Sequence, residues 1–484
     1  KLQELNSNCT GRLFGVMSEN SLTVLSFALN PPEDDDTAIL PAALQLNMPV
    51  EIDLCGVLFI GDAAENIPDA FKDIDITDNP LLLKYTLNAQ QVQPFFYVHQ
   101  TLKEAGEPEI IEESKIWQRF SYIRLRTSIP IITQKSDVID AFQLTRKNLA
   151  SGTVGFHFPQ ADVYILGTDS ESKIINIKDL LKKSSKSIAG TIDSIDASML
   201  VNMTTDKSSE NYSKYAPVLQ HIKKPFQSLQ FDLNVDTLSV VDGSLSASQL
   251  YSILVESVCK NLRLIERSFA QQLNNGKELR TPEILHFKPK NYMHLISIAY
   301  PRGSHDEDTK EYRKSLHKAL SFDLSRPLFC RGNAVRFSYD FSPSEPLLIP
   351  HEAIPSLPSG FSVSLVKGLY AYHHYMQDNF DDSGWGCAYR SLQTVFSWFK
   401  LQGYTGQPIP SHKDIQKCLV DIGDKAHSFI GSKQWIGSTE VGFVLETLLG
   451  VTVRILCAAT GDKMADEIEN LKEHFDTQGT PVMI

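Results

Sequence analysis

Cys387 follows Gly384-Trp385-Gly386 and opens a run in which Leu392, Val395, Phe396 and Phe399 recur at helical spacing. The thiol therefore lies at the start of a helix with one buried face. Unpaired N–H groups and the positive end of the helix dipole favour a thiolate there. Glycines on either side of Trp385 let the backbone approach a ligand closely and take conformations with positive φ. A thiolate set in bare backbone is suited to nucleophilic attack on a carbonyl. The plainer alternative is a buried, inert thiol, and the glycines and tryptophan weigh against it. Attack alone is not enough. The chemistry also needs a base for the thiol proton, a group to orient that base, and donors for the oxyanion.

The elements that must position Cys387 follow from the rest of the pattern. Ser411 and Asp414 open a helix carrying Ile415, Cys418, Leu419 and Ile422. Thr439 opens another, with Val441, Val444 and Leu448, and Gly450 closes it. Val451, Val453, Ile455 and Cys457 alternate as a strand, residues 463–475 read as a surface helix, and Pro481 to Ile484 begins a further strand. Before this region, six prolines between Arg326 and Ser359 (Pro327, Pro343, Pro346, Pro350, Pro355 and Pro358) mark a connecting segment. The expected division is 1–325, a connecting 326–359, and 360–484.

In the first part, Leu13–Val16 and Leu22–Phe27 read as a hairpin-like pair of strands. Val57–Ile60 and Val163–Leu166 are further strands. Glu33–Asp36, Lys182–Ser187 and Thr204–Ser213 read as surface loops. A long helix is expected from Ser246 to Leu273, stopped by Asn274-Asn275-Gly276, with Leu250, Ile253, Leu254, Val258, Leu262, Ile265 and Phe269 as its apolar stripe. Another is expected from Ser304 to about Leu320, with Ser304 and Glu307 as a capping box.

The chain has 484 residues and a net charge of -12, from 46 basic and 58 acidic residues. That balance argues against a general nucleic-acid binder. Seven scattered cysteines without a Cys-x-x-Cys pair argue against a disulfide framework or zinc site and favour a reducing compartment. No apolar run approaches the ~20 residues of a membrane span. Cys259, Cys418 and Cys457 fall on or beside apolar faces and read as packing residues.

The segments Tyr375-Met376-Gln377-Asp378 and Asp381 to Thr394, with Gly431-Ser432-Lys433-Gln434-Trp435-Ile436-Gly437-Ser438 and Thr480 to Ile484, closely resemble the ubiquitin-fold-modifier-specific cysteine proteases. The long N-terminal extension resembles the larger type in that family. The resemblance is strong over Gly368 to Ile484 and weak before it. It implies an α+β chain: a papain-like domain preceded by a large α/β domain similar to the Mpr1/Pad1-type fold. It also implies a thiol protease that matures the modifier after its C-terminal glycine and removes it from lysines of conjugates.

By position, the resemblance makes Cys387 the nucleophile and Tyr375 the oxyanion-stabilising tyrosine; aromatic packing is the alternative for Tyr375. Trp385 and Trp435 line the substrate channel or pack in the core. The family's base comes from an Asp-Pro-His block downstream of the strand matching Pro481–Ile484. The sequence given is therefore expected to lack its base and to turn over poorly. His373 and His374 read as structural, and His412, His427 and His474 as surface residues.

No metal or other cofactor is expected, since no His-x-His motif supports a zinc peptidase in the N-terminal domain. That domain is expected to bind an adaptor at the endoplasmic reticulum surface. Localisation is expected in the cytoplasm, on the cytosolic face of that membrane, with the nucleus as an alternative. Two competing readings are an autophagy-type protease with the same Gly-Trp-Gly-Cys turn and a non-catalytic adaptor. Ala388 to Gln393 fits the first family better than the autophagy type.

Overall fold

The computed structural model describes the whole chain except residues 1–6, 19–20, 32–38, 62–66, 72–73, 75–78, 170, 181–190, 202–227, 277, 290–291, 305–306, 325–327, 341–346, 355–362, 367 and 403. The expected loops at Glu33–Asp36, Lys182–Ser187 and Thr204–Ser213, and all the connecting prolines but Pro350, lie outside the described residues.

Two units emerge. The first is Lys1–Lys186 with Asp193–Ser304 and Lys314–Leu324; the second is Ser187–Ile192 with His305–Arg313 and Ser325–Ile484.

The first unit holds two large sheets and two smaller two-stranded ones. Strands β1 (Cys9–Ser18) and β2 (Ser21–Leu29) pair antiparallel. With β3 (Asp53–Ile60), β4 (Leu81–Thr86), β5 (Gln91–Val98) and β6 (Thr101–Glu104) they form a six-stranded sheet, ordered β2-β1-β3-β4-β5-β6. The β3–β4 pair is parallel and the others antiparallel.

The second sheet is five-stranded. Its order is Ser228–Asp242, β7 (Phe120–Gln134), Ile195–Val201, β8 (Val154–Phe158) and β9 (Val163–Leu166). The helix Ala247–Asn274 packs on it through Leu250, Leu254, Val258, Leu262, Ile265 and Phe269. Its start is a capping box: Gln249 N–H donates to Ser246 Oγ at 3.2 Å, and Ser246 N–H donates to Gln249 Oε1 at 3.0 Å. Cys259 is buried on this helix, and burial pushes its thiol up, as befits an inert packing residue. The helix expected from Ser304 instead runs Lys310–Ala319 after a 3₁₀ turn, and the Ser304 hydroxyl donates to the Pro301 carbonyl at 2.8 Å.

The second unit is built on four helices: Cys387–Leu401, His412–Asp421, Ser438–Leu449 and Ile468–Thr477. Tyr389, Leu392, Phe396, Ile415, Leu419, Val441 and Val444 form its core. Ser411 caps its helix with Asp414 as expected. The next helix is capped at Gly437 rather than opened by Thr439, and it ends on Gly450 at φ 67°. The two expected strands, Val451–Cys457 and Pro481–Ile484, do not form. A strand exists only in a hydrogen-bonded ladder, and no described backbone pairs with either run. Val453 and Ile455 accordingly face solvent.

Candidate active site

Cys387 is exposed at the first position of its helix, with Gly386 as N-cap. This helix buries two stripes. Tyr389, Leu392 and Phe396 form the apolar one, while Arg390, Gln393 and Ser397 form a polar one at i, i+3 and i+7. The polar stripe holds the segment that leads to Tyr375.

Gln402 Nε2 donates to the Leu369 carbonyl at 3.0 Å. Ala371 N–H donates to Ser397 Oγ at 2.9 Å, and the same hydroxyl lies 3.0 Å from the Ala371 carbonyl. His373 N–H donates to Thr394 Oγ1 at 3.0 Å. Extended backbone rises ~3.3 Å per residue and a helix 1.5 Å, so residues 369 to 373 span about the length from 402 back to 394. The segment thus runs antiparallel to the helix and delivers Tyr375 to the end where Cys387 sits. There the phenol neighbours the Cys387 side chain, which pushes the phenol up, while the Cys387 N–H pulls it down. Two donors, a phenol O–H and a backbone N–H, therefore converge beside the sulfur.

Below them lies a network that the sequence analysis did not identify. Asp382 is fully buried. Its Oδ1 accepts from Met376 N–H at 2.8 Å; its Oδ2 accepts from Arg390 Nε at 2.6 Å and from His412 Nε2 at 3.1 Å. Its carbonyl accepts from the Trp385 and Gly386 N–H groups at 3.2 and 2.9 Å. Burial pushes the carboxyl up, but the Met376 N–H, Arg390 and His412 outweigh it and hold the group below the usual carboxylate range. The Arg390–Gln393–Ser397 stripe was the available signal: polar residues at helical spacing alongside an apolar face imply buried partners.

His412 is buried, which corrects the surface reading. Its ring stacks on Tyr389 with centroids 4.9 Å apart and meets Trp385 edge-on at 5.3 Å. Burial, then Arg390, pushes its imidazole down, so it is neutral near pH 7 and donates from Nε2 to Asp382. Its aromatic neighbours bury its ring, a cost the helical pattern alone did not reveal. His373 is buried with neither ring nitrogen hydrogen-bonded, and His427 lies in an exposed 3₁₀ turn. His474 is half-buried, with Nε2 2.9 Å from the Thr480 carbonyl. Among the described residues no imidazole bonds the Cys387 thiol.

The two tryptophans differ in burial. Trp385 packs in the aromatic cluster with Phe380, Tyr389 and His412. Trp435 is 72% exposed. Its loop is anchored by Gln416, whose Nε2 donates to the Ser432 carbonyl at 2.8 Å and whose Oε1 accepts from Gly431 N–H at 2.7 Å. Tyr389 Oη donates to the Gln434 carbonyl at 3.0 Å. No cluster of three or more metal-binding side chains occurs among the described residues.

Three family models match the chain: Peptidase family C78 over residues 362–484, the insect UFM1-specific protease N-terminal MPN-like domain over 1–116, and the N-terminal region of ubiquitin-fold modifier 1 specific protease 2 over 163–342. A probable Ufm1-specific protease 2 of Drosophila pseudoobscura pseudoobscura is 33% identical over 530 residues, covering 100% of this chain and 86% of that protein. The Ufm1-specific protease 2 of Gallus gallus is 41% identical over 309 residues, covering 63% of this chain and 64% of that protein. The crystal structure of UfSP from C. elegans superposes with a TM-score of 0.66 at 21% identity, covering 98% of this chain and 81% of that one, and so shares the fold. By its identity to the Drosophila protein over the full length of this chain, the chain belongs to the Ufm1-specific protease 2 family.

Proposed function

We propose that this chain is a thiol protease acting on the ubiquitin-fold modifier, with Cys387 as nucleophile and Tyr375 as oxyanion donor. The observation that carries the reading is the convergence of the Tyr375 phenol and the Cys387 N–H beside an exposed sulfur at a helix start. In the reaction, Sγ attacks the carbonyl of the modifier's C-terminal glycine, and the carbonyl π pair moves to oxygen. The oxyanion lies between the phenol and the N–H, which hold it through charge-assisted hydrogen bonds. Collapse breaks the C–N bond; the thiol proton ends on the leaving nitrogen, which belongs to a precursor tail or a target lysine. Water then hydrolyses the thioester. Trp435, exposed on its anchored loop, is the better placed of the two tryptophans to meet the modifier's tail.

The test is covalent capture by a modifier carrying a C-terminal vinyl-type electrophile, which reads the nucleophile without requiring turnover. Wild-type chain forms an adduct at Cys387, and Cys387→Ala forms none. No adduct from a folded chain that also carries the Asp-Pro-His block removes the protease assignment.

The remaining roles are part of the same proposal. Residues 360–484 would carry the catalysis and 326–359 the connection, which the C78 match beginning at 362 supports. Residues 1–325 would recruit an adaptor at the cytosolic face of the endoplasmic reticulum; the two N-terminal family matches mark this part only as separate from the peptidase match. A pull-down with the full chain and with 1–325 tests this, and loss of adaptor binding by 1–325 counts against it.

A further inference from the structure

We propose that Asp382 and Arg390 are positioning residues that hold the turn after Tyr375 and thereby set where its phenol meets Cys387; the proposal rests on the protease reading above. The turn is strained. Met376, Asp378 and Asn379 all have left-handed backbone, with φ of 62°, 64° and 54°. Asp and Asn tolerate that region, but a long side chain such as Met does so at a cost of about 1–3 kcal/mol. Such a conformation persists only where the surroundings over-determine it.

Here two buried side chains from the nucleophile's own surroundings do so. Asp382 takes the Met376 N–H at 2.8 Å, so the residue directly after Tyr375 is tied to the carboxylate. Arg390, on the Cys387 helix, takes the Gln377 carbonyl through Nη2 at 2.9 Å and Asp378 Oδ2 through Nη1 at 3.3 Å. The two grip each other through Nε and Oδ2 at 2.6 Å. The Asp382 carbonyl meanwhile accepts from Gly386, the residue before the nucleophile. One carboxylate residue therefore ties the oxyanion tyrosine's turn and the nucleophile's turn into a single frame. Neither side chain needs to touch substrate.

A general structural role would predict something different: equal losses with or without the tyrosine hydroxyl. The distinguishing experiment is a double-mutant cycle on the full chain, read as equilibrium affinity for modifier ending in glycinal. The thiol adds to this aldehyde: the S–C bond forms, and the thiol proton ends on the former carbonyl oxygen. The resulting hemithioacetal oxygen lies at the two donors, so its stability reports their placement without requiring turnover. Tyr375→Phe should weaken binding on the order of 100-fold, within the range for loss of one oxyanion donor. Asp382→Asn should cost roughly 10-fold with the tyrosine present and less than about 2-fold in the Tyr375→Phe background.

Equal losses in both backgrounds overturn the proposal. A Tyr375→Phe chain that keeps full glycinal affinity removes the oxyanion reading instead, and the single variant alone reveals it. Should Asp382→Asn fail to fold, Arg390→Lys keeps a charge beside Asp382 while losing the fork to Gln377 and Asp378. It should show the same dependence on Tyr375. Wild-type hydrogen exchange gives a variant-free check: the Met376 amide should be protected like the Cys387 helix. Exchange at the rate of an open loop overturns the clamp.

Discussion

Gly386→Ala should damage the site far more than Gly384→Ala, two residues away, and the two substitutions fail for different reasons. Gly386 has φ −82°, which any residue adopts. Its difficulty is space: a Cβ there would lie 2.5 Å from Asp382 Oδ2, 2.6 Å from its Cβ and 2.7 Å from its Cγ. The carboxylate cannot swing aside freely, because Met376 holds one oxygen at 2.8 Å and Arg390 the other at 2.6 Å. Relieving the clash needs a shift of roughly 1 Å. That weakens charged hydrogen bonds worth about 1.5–3 kcal/mol each, on top of ordinary overpacking of about 1–3 kcal/mol. A loss of about 3 kcal/mol follows. For a unit of this size, at roughly 2–4 °C per kcal/mol, that lowers its Tm by about 6–12 °C.

Gly384 is the reverse case. It has φ 80°, and nothing lies within 4 Å of a Cβ built there. Alanine costs only the left-handed backbone penalty, about 1 kcal/mol and thus about 2–4 °C. The assay is thermal unfolding of the full chain followed by tryptophan fluorescence, since Trp385, Trp398 and Trp435 all belong to the second unit. Capture by the vinyl-type probe is measured in parallel and should fall with Gly386→Ala. If Gly386→Ala proves as stable as Gly384→Ala, or is captured at the wild-type rate, the account of the Asp382 frame is wrong.

Other outcomes follow from the same coordinates. In the first unit, Asp236 is held by both nitrogens of the Arg124 fork at 2.9 and 2.6 Å and by His286 at 3.1 Å. Asp236→Ala takes the carboxylate away from the buried Arg124 fork and should cost about 3 kcal/mol in chemical unfolding. Burial pushes this carboxyl up, but His286 and Arg124 overcome it and hold the group far below its usual range. Its contribution is therefore full above the unfolded value of ~3.9 and is lost only as pH falls below that. His294 gives a milder acid response: burial pushes it down to about 4, so the unfolded chain binds a proton that the folded one refuses. Stability of the first unit should fall as pH drops from about 6.5 towards 4, and a chain whose Tm is flat across that window would contradict the burial argument. His373, likewise pushed down to about 4 by burial, has neither ring nitrogen hydrogen-bonded. His373→Phe should therefore raise the second unit's stability by about 1 kcal/mol, and a lower Tm would reveal a partner for that ring.

How far the sequence could be read depends on where each partner lies along it. The long helix was legible because its stripe, its Ser246 cap and its Asn275 stop are all local. The Cys387 helix was legible for the same reason. Its glycines were read as letting the backbone approach a ligand closely; what packs against Gly386 within the fold is Asp382, four residues back. The expected strand at Val451–Cys457 failed because alternation states only that a strand could exist, whereas its stability resides in a neighbour's backbone. The buried state of His412 escaped because it depends on Asp382, thirty residues away, and on three aromatic rings from elsewhere. Tyr375 was placed by resemblance alone, yet a physical route existed. Leu369, Ala371 and His373, at every second position, carry the backbone groups that meet Gln402, Ser397 and Thr394, polar residues on one side of a helix. Each two-residue step along an extended strand matches roughly four residues of helix, so the polar stripe itself dictates an antiparallel run ending near the helix start. A stripe of that kind beside a candidate nucleophile thus locates the segment that must carry its oxyanion donor.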